Sequence, residues 1–222
     1  MYTAIIIEFR KHKALSYVLT NFLENLSTEW NFVIFHGNLN GEFINVIIDT
    51  ELKPHKERIT MVHVHYDNLL PHEYSNLLIN ETIIYDNIPT ETFLIFQTDT
   101  IIIKKNKNFI NDFLKYDYVG APWVGYCSNN VGNGGLSLRK KSKMLEVIDK
   151  DHIGRRHFAE DLFFARSVKV PLYKPDEFEA SRFSIENYIG CGHPFGCHKP
   201  WIHLMDFCNK HPEIVELMAL QN

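Results

Sequence analysis

The chain has 222 residues, of which 45% are apolar, and its formal net charge is −4. That length and apolar content suit one domain with a substantial core, which we expect to cover residues 1–222. The weakly acidic balance offers no general attraction for nucleic acid or for an anionic membrane surface, so neither is an expected partner.

Cysteine usage and the lack of long apolar runs indicate a protein of a reducing compartment. The four cysteines are Cys127, Cys191, Cys197 and Cys208. None forms a C-x-x-C pair, and a chain of this size needs no disulfide staples, so we expect reduced thiols. The first apolar run, residues 4–7, is too short for a signal peptide, and no stretch approaches a membrane-spanning length. We therefore expect a cytoplasmic protein without a transmembrane segment, of undetermined oligomeric state.

Strand-like runs alternate with helix-like runs in the first half of the chain. Short apolar runs rich in β-branched and aromatic residues predict strands over residues 3–7, 32–35, 44–48, 61–64 and 92–96. Apolar residues at helical spacing predict a helix over residues 15–26, and the segment over residues 72–80 is also predicted to be helical. This alternation predicts an α/β fold with a mainly parallel central sheet flanked by helices.

The second half has a looser pattern. Residues 116–131 are rich in aromatic residues, Gly and Pro, and helices are predicted near residues 140–148, 160–168 and 212–220. The run Arg155, Arg156 and His157 is interpreted as a solvated turn, with a loop that closes over a ligand as the alternative.

Asp99 lies directly after the most apolar central strand. In open α/β sheets, ligands bind beyond the carboxyl ends of the strands. A carboxylate there can hold Mn²⁺ or Mg²⁺ through oxygen, and the cation can neutralise a diphosphate. A turn residue that accepts hydrogen bonds from backbone amides is an equally simple interpretation. Arg10 follows the first strand, where it can contact a phosphate or form an exposed ion pair with Glu8.

A glycine-rich loop is the most unusual segment of the sequence. It reads VGNGGLSLR from Val131 to Arg139 and includes Gly134 and Gly135. Glycine allows the backbone to approach a ligand closely. The pattern is neither a P-loop nor a dinucleotide-binding fingerprint, and it has more glycine than a hairpin turn requires. We expect it to border a binding site, with a simple hairpin as the alternative.

Two adjacent carboxylates, Glu160 and Asp161, precede the apolar run LFF. Acidic side chains at the start of a helix are stabilised by the helix dipole, so one interpretation is a capping pair. The other is a general base that takes a proton from a hydroxyl group. The order of Asp99, the glycine loop and this pair favours the second interpretation.

Together these segments resemble a glycosyltransferase-like family long known only as a domain of unknown function. The matching strings are FQTD, YDYVGAPW, VGNGGLSLR, EDLFF and FSIE, which span most of residues 90–200. The resemblance implies a GT-A fold and sugar transfer from a nucleotide-diphosphate donor. GT-A enzymes carry Asp-x-Asp after the central strand, whereas here Gln97 replaces the first Asp. Asp99 is then the one charged ligand of that motif, and Gln97 would bind the ribose or a water on the metal.

The glycine loop followed by Glu-Asp is also similar to inverting β-1,3- and β-1,4-glycosyltransferases. In those enzymes the loop shapes the pocket for the acceptor and the donor sugar, and a carboxylate of the pair is the base. The similarity implies Asp161 as the base, Glu160 as the alternative, and Gly134 with Gly135 beside the donor.

The string HPFGCHKPW, which begins at His193, contains two imidazoles and an ammonium group. Imidazole and carboxylate suit Mn²⁺, so a late histidine can complete a site begun by Asp99. The His-x-x-Gly-x-x-Lys-Pro-Trp spacing resembles the retaining, glycogenin-like family, which implies His193 as metal ligand and Lys199 as partner of the diphosphate. The Phe-Gly-x-His string of the uncharacterised family implies His198 instead. Both remain open, and a surface loop with incidental histidines is a third interpretation.

The sequence therefore predicts a metal-dependent glycosyltransferase that moves a sugar from a UDP-sugar to a hydroxyl of a glycan or glycoprotein, with inversion. Residues 1–100 would bind the nucleotide, and residues 101–222 would supply the acceptor-binding and catalytic groups. The alternative is a catalytically inactive carbohydrate- or nucleotide-binding module on the same fold, which Gln97 favours. The abundance of Ile, Asn, Lys and Phe is typical of an AT-rich genome. Because relatives of the family occur in large DNA viruses, we also predict a viral protein of the host cytoplasm.

Overall fold

The structure, a computed structural model, describes residues 1–123, 130–151, 159–190 and 192–221. Cys127, Cys191 and the run from Arg155 to His157 lie outside the described residues. Cys197 and Cys208 are buried and form no disulfide within the described ranges. None of the helices in the described ranges has the length and apolar character needed to cross a membrane.

The strands form two sheets. They are β1 (Tyr2–Ile7), β2 (Trp30–His36), β3 (Ile59–His63), β4 (Thr92–Ile95), β5 (Thr100–Ile102), β6 (Tyr118–Gly120), β7 (Ser137–Lys140), β8 (Ser184–Ile185) and β9 (Gly196–His198). In the described part of the chain, the larger sheet has six strands in the order β3-β2-β1-β4-β7-β6. β1 is parallel to β2 and β4, β2 is parallel to β3, and β7 is antiparallel to β4 and β6. The prediction of a mainly parallel central sheet is confirmed.

Helices cover both faces of this sheet. They are α1 (Leu15–Asn25), α2 (Gly41–Thr50), α3 (Pro71–Asn80), α4 (Thr82–Asp86), α5 (Ile110–Phe113), α6 (Lys141–Lys150), α7 (Glu160–Ala165), α8 (Glu177–Phe183), α9 (Met205–Cys208) and α10 (Pro212–Ala219), with 3₁₀ turns at Lys53–Arg58, Lys104–Phe109 and Pro200–Ile202. Side chains alternate along β1, so Ala4 and Ile6 join the core formed with α1 and α2. Ile5 and Ile7 join a second core formed with α3, α4 and α6. The sheet is therefore buried on both faces.

The strand predicted over residues 44–48 is wrong, because this segment lies within helix α2. Its β-branched content favoured a strand, but its buried residues are Ile44, Ile47 and Ile48. That spacing places the three side chains on one face of a helix, against the core. Burial of this apolar face outweighs the weak local preference for a strand.

The smaller sheet has three strands within the described ranges, in the order β5-β9-β8. β5 is antiparallel to β9, with Thr100 opposite His198. β8 is parallel to β9, and β8 ends opposite Cys197. Asp99, just before β5, and Glu186, just after β8, are therefore brought to the two sides of His198.

Candidate active site

A cavity of about 470 Å³ lies beyond the carboxyl ends of β1 and β4. Because these parallel strands are neighbours, the residues that follow them meet at one edge of the sheet. The lining consists of residues 7–10, 68–71, 74–75, 97–99, 133–135, 159–161 and 198–199. Every site residue predicted from the sequence lines this cavity, except His193, which is exposed on the surface.

Asp99 and His198 face each other inside this cavity. His198 Nε2 lies 3.4 Å from Asp99 Oδ1, and the imidazole is almost completely buried. Burial opposes ionisation of Asp99, but the nearby His198 and Lys199 outweigh it and hold the carboxyl pKa below its usual value. Burial likewise opposes a charged imidazole, but Asp99 and Glu186 outweigh it and raise the pKa of His198. The structure thus pairs Asp99 with His198 and leaves His193 apart from it.

The two facing atoms fit a divalent cation. Asp99 Oδ1 and His198 Nε2 are buried and have no hydrogen-bond partner in the part of the chain that the structure describes. Their separation is longer than a normal N–H···O hydrogen bond, and buried polar atoms rarely stay unsatisfied. Carboxylate oxygen and imidazole nitrogen suit Mn²⁺ or Mg²⁺. The described residues include no group of three His, Cys, Asp or Glu side chains arranged for a metal. An ion here would take its other ligands from a diphosphate and water.

Two residues that sequence reasoning did not assign, Asn133 and Glu186, contact the other side of His198. Asn133 Oδ1 lies 3.0 Å from His198 Nδ1, and Glu186 Oε1 lies 3.2 Å from the same nitrogen. Asn133 Nδ2 donates to Glu186 Oε2 at 2.9 Å. Both residues occur in strings that carried the family resemblance. Their roles could not be read from spacing, because the position of Glu186 depends on the pairing of β8 with β9, and that of Asn133 depends on the close approach of the glycine loop to His198.

The glycines of the loop allow its backbone to approach both His198 and the Glu160–Asp161 pair closely. A Cβ added at Gly135 would collide with the His198 ring, and one added at Gly134 would collide with Glu160 Oε1 and Asp161 Cβ. Glycine is therefore required here by close approach of the backbone to neighbouring side chains. The loop passes between the Asp99–His198 pair and the start of α7.

Both carboxylate oxygens of Glu160 accept hydrogen bonds from the buried guanidinium of Arg139. Arg139 Nη1 donates to Glu160 Oε2 at 2.6 Å, and Arg139 Nη2 donates to Glu160 Oε1 at 3.1 Å. The guanidinium also lies over the rings of Tyr118 and Phe164, at 4.7 and 5.5 Å from their centroids. This geometry gives Glu160 a role in fixing α7 to β7 and argues against the alternative in which Glu160 is the base.

Asp161, beside it, lines the cavity and retains accepting capacity. Its Oδ2 accepts from the Gly134 N–H at 3.2 Å, and its Oδ1 accepts from the Leu162 N–H at 2.7 Å. Burial, reinforced by the Glu160 charge, raises the pKa of the Asp161 carboxyl to about 6. A carboxylate with a pKa near neutrality suits general base catalysis.

The cavity is also lined by the three other polar residues that the sequence predicted as donor contacts, Arg10, Gln97 and Lys199. Arg10 Nε and Nη2 donate to the buried Glu8 carboxylate at 2.8 and 2.7 Å, while the Arg10 side chain is 57% exposed. Lys199 has a left-handed backbone conformation, with φ of 33°, which is uncommon outside glycine. Its N–H donates to the Asp99 carbonyl at 2.8 Å. Strained backbone of this kind often occurs at ligand sites.

Sequence reasoning also missed Tyr74, on α3. Tyr74 lines the cavity, and its buried hydroxyl has no hydrogen-bond partner among the described residues. A buried phenol without a partner is a candidate donor or acceptor for a bound ligand. No motif marked it, since a tyrosine in an amphipathic helix is ordinarily a packing residue.

Solved structures show that this architecture is a GT-A nucleotide-sugar transferase fold. Galactosyltransferase LgtC, solved with donor and acceptor sugar analogs, is 12% identical, with a TM-score of 0.65, over 100% of this chain and 95% of LgtC. The mannosyltransferase PcManGT of Pyrobaculum calidifontis, solved with GDP-Man and Mn²⁺, is 11% identical, with a TM-score of 0.56, over 79% of this chain and 55% of that one. HddC of Yersinia pseudotuberculosis is 14% identical, with a TM-score of 0.51, over 78% of this chain and 88% of HddC. These similarities show the fold.

The chain belongs to the family described as protein of unknown function DUF5672, whose model matches residues 58–198. The match includes Asp99, the glycine loop, Asp161, Glu186 and His198. A search of curated proteins finds no significant match.

Proposed function

We propose that this protein is a metal-dependent glycosyltransferase. It would move a sugar from a nucleotide-diphosphate donor, with a UDP-sugar as the proposed donor, to a hydroxyl of a glycan or glycoprotein. One observation carries the proposal: a single glycine loop contacts both the Asp99–His198 pair and Asp161 within one cavity. The similarity to LgtC and PcManGT, which were solved with donor molecules, supports it.

The residues divide the reaction between them. Mn²⁺ or Mg²⁺ held by Asp99 and His198 would neutralise charge on the departing diphosphate. Lys199 adds a point charge for the same group. Asp161 accepts the proton of the acceptor hydroxyl as that oxygen bonds to the anomeric carbon and the bond to the diphosphate oxygen breaks. The proton ends on Asp161, and the nucleoside diphosphate leaves with the electron pair.

Donor contacts follow from the two halves of the chain. Residues 1–100 contribute Arg10 to the phosphates and Gln97 to the ribose, and residues 101–222 contribute the glycine loop, Asp161 and Lys199. Attack in line from the side of Asp161 inverts the anomeric centre. The anomeric configuration of the product, read by proton NMR, tests this step, and retention would remove Asp161 from the role of base.

Donor binding is tested by thermal unfolding with UDP and Mn²⁺. At ligand concentrations near one hundred times Kd, we expect the wild-type Tm to rise by about 5–10 °C. Asp99→Asn should lose this rise because it removes the charged ligand. Asp49→Asn, at an exposed aspartate that pairs with Lys56, is the matched control and should keep it. An unchanged rise in Asp99→Asn would exclude Asp99 from the site.

Chemistry is tested separately, because an inactive binding module would also give a thermal shift. The wild type should release UDP from a UDP-sugar, and Asp161→Asn should reduce this release by about 10²- to 10⁴-fold while keeping the thermal shift. Thermal stabilisation without UDP release across a panel of UDP- and GDP-sugars would favour the binding module instead.

A further inference from the structure

The two nitrogens of the buried His198 imidazole have different neighbours. Nε2 faces Asp99 at 3.4 Å and makes no hydrogen bond with any residue that the structure describes. Nδ1 faces two oxygens, from Asn133 at 3.0 Å and from Glu186 at 3.2 Å. The small sheet sets this arrangement, because β5 and β8 flank the strand that ends at His198.

The glycine loop fixes which atom of Asn133 faces the ring. The Gly135 N–H donates to Asn133 Oδ1 at 3.1 Å. A backbone N–H is only a donor, so the atom that it meets must be the amide oxygen. The Asn133 Nδ2 group then donates to Glu186 Oε2 at 2.9 Å. Both oxygens near His198 Nδ1 are therefore acceptors, and Nδ1 must carry a proton.

We propose that Glu186 and Asn133 are positioning residues that hold the His198 Nδ1–H, so that the neutral ring directs its Nε2 lone pair toward Asp99 and binds a divalent cation with it. The inference rests on the proposed function, because it concerns the cation of that site. Partners of this kind orient a metal-binding imidazole and fix its tautomer. Because Asn133 is itself part of the glycine loop, movement of the loop and orientation of the ring are linked.

The first experiment reads the tautomer without metal. Nitrogen-15 NMR of the histidine side chains, recorded on the metal-free protein at alkaline pH, reports which ring nitrogen carries the proton, and His198→Ala assigns the signal. We expect Nδ1 of His198 to be protonated and Nε2 to be unprotonated. In Glu186→Gln the side-chain amide can donate to Nδ1, so the proton should shift toward Nε2. A wild-type ring protonated at Nε2 would overturn the proposal, whatever the activity of the protein.

The second experiment measures Mn²⁺ affinity from the loss of the free-ion EPR signal. Glu186→Gln should weaken binding by about 10- to 100-fold. Glu179→Gln is the matched control, since that carboxylate pairs with Arg182 on α8 and should leave Mn²⁺ affinity unchanged. Equal affinity in the wild type and Glu186→Gln would overturn the proposal. Failure of the wild type to bind Mn²⁺ would count against the proposed function, and the NMR result would then decide the role of Glu186 and Asn133.

Discussion

Asp161 illustrates a conflict between stability and chemistry at a single residue. Its carboxyl has a folded-state pKa of about 6, against 3.8 for the unperturbed group, chiefly because it is buried. Between these two values the folded protein binds more protons than the unfolded chain, so the free energy of unfolding falls as pH rises from about 4 to about 6. At pH 7 the ionised Asp161 therefore destabilises the fold.

We expect Asp161→Asn to be more stable than the wild type at pH 7 by about 1–3 kcal/mol, since it removes this buried charge. The difference should shrink as pH falls through about 6, be small at pH 4, and disappear well below 3.8, where the wild-type carboxyl is protonated in both states. Urea unfolding at pH 7 and pH 4 measures it. Asp86→Asn, at an exposed carboxylate ending α4, provides the control. Equal stability of Asp161→Asn and wild type at pH 7 would contradict the buried-charge explanation.

The neighbouring carboxylate behaves differently although the two are adjacent in sequence. Glu160 points to Arg139 and is paired at both oxygens, whereas Asp161 borders the cavity. The sequence could name the pair as a candidate base, but it could not divide the roles. That division depends on the side from which Arg139 of β7 approaches α7, which is a tertiary contact.

At the scale of elements, the Arg139–Glu160 pair joins β7 to α7. We expect Arg139→Met to lower the free energy of unfolding by about 3–5 kcal/mol, because it leaves the Glu160 carboxylate buried without a cation. Adding Glu160→Gln should recover part of this loss, since the charge is then removed as well. Urea unfolding of the two single variants and the double variant gives the coupling energy. Additive losses would mean that the pair does not join the two elements.

Substitutions in the glycine loop can perturb the Asp99–His198 pair and Asp161 separately. Gly135→Ala places a methyl group against His198, so we expect Mn²⁺ affinity to fall by about 10- to 100-fold. Gly134→Ala places a methyl group against Glu160 and Asp161, so Mn²⁺ affinity should be kept while UDP release slows. Each variant is the control for the other, because both add one methyl group to the same loop. Identical effects on Mn²⁺ affinity would mean that the loop moves as one body.

Prediction succeeded for continuous apolar runs and for apolar residues at helical spacing, and it failed where β-branched composition favoured the wrong element. Helix α1 is confirmed because its buried residues recur at helical spacing. Strands β1, β2 and β4 are confirmed because their short apolar runs are buried on both faces of the sheet. Residues 44–48 were predicted as a strand from β-branched content, yet their burial has helical spacing. The choice between His193 and His198 also lay beyond the sequence, since it depends on the register of β9 against β5.

At the scale of the whole molecule, the site draws on both halves of the chain and so does the central sheet. Asp99 and Arg10 come from the first half, and Asp161 and His198 come from the second. β4, from the first half, pairs with β1 on one side and with β7 on the other. Residues 1–100 and residues 101–222 therefore share one sheet, and the order of motifs along the sequence could not reveal this shared pairing.

We expect the two halves to unfold together, because separating them would break the β4–β7 pairing inside the sheet. Tryptophan fluorescence can test this, since Trp30 is buried in β2 and Trp201 packs against the core from the second half. One variant keeps only Trp30 and another keeps only Trp201, with phenylalanine at the other tryptophan positions. Within each variant, the urea transitions followed by fluorescence and by circular dichroism should have the same midpoint and slope. Circular dichroism of each variant controls for the effect of the substitutions on total stability. Separate midpoints within one variant, by fluorescence and by circular dichroism, would show that the halves fold as independent domains.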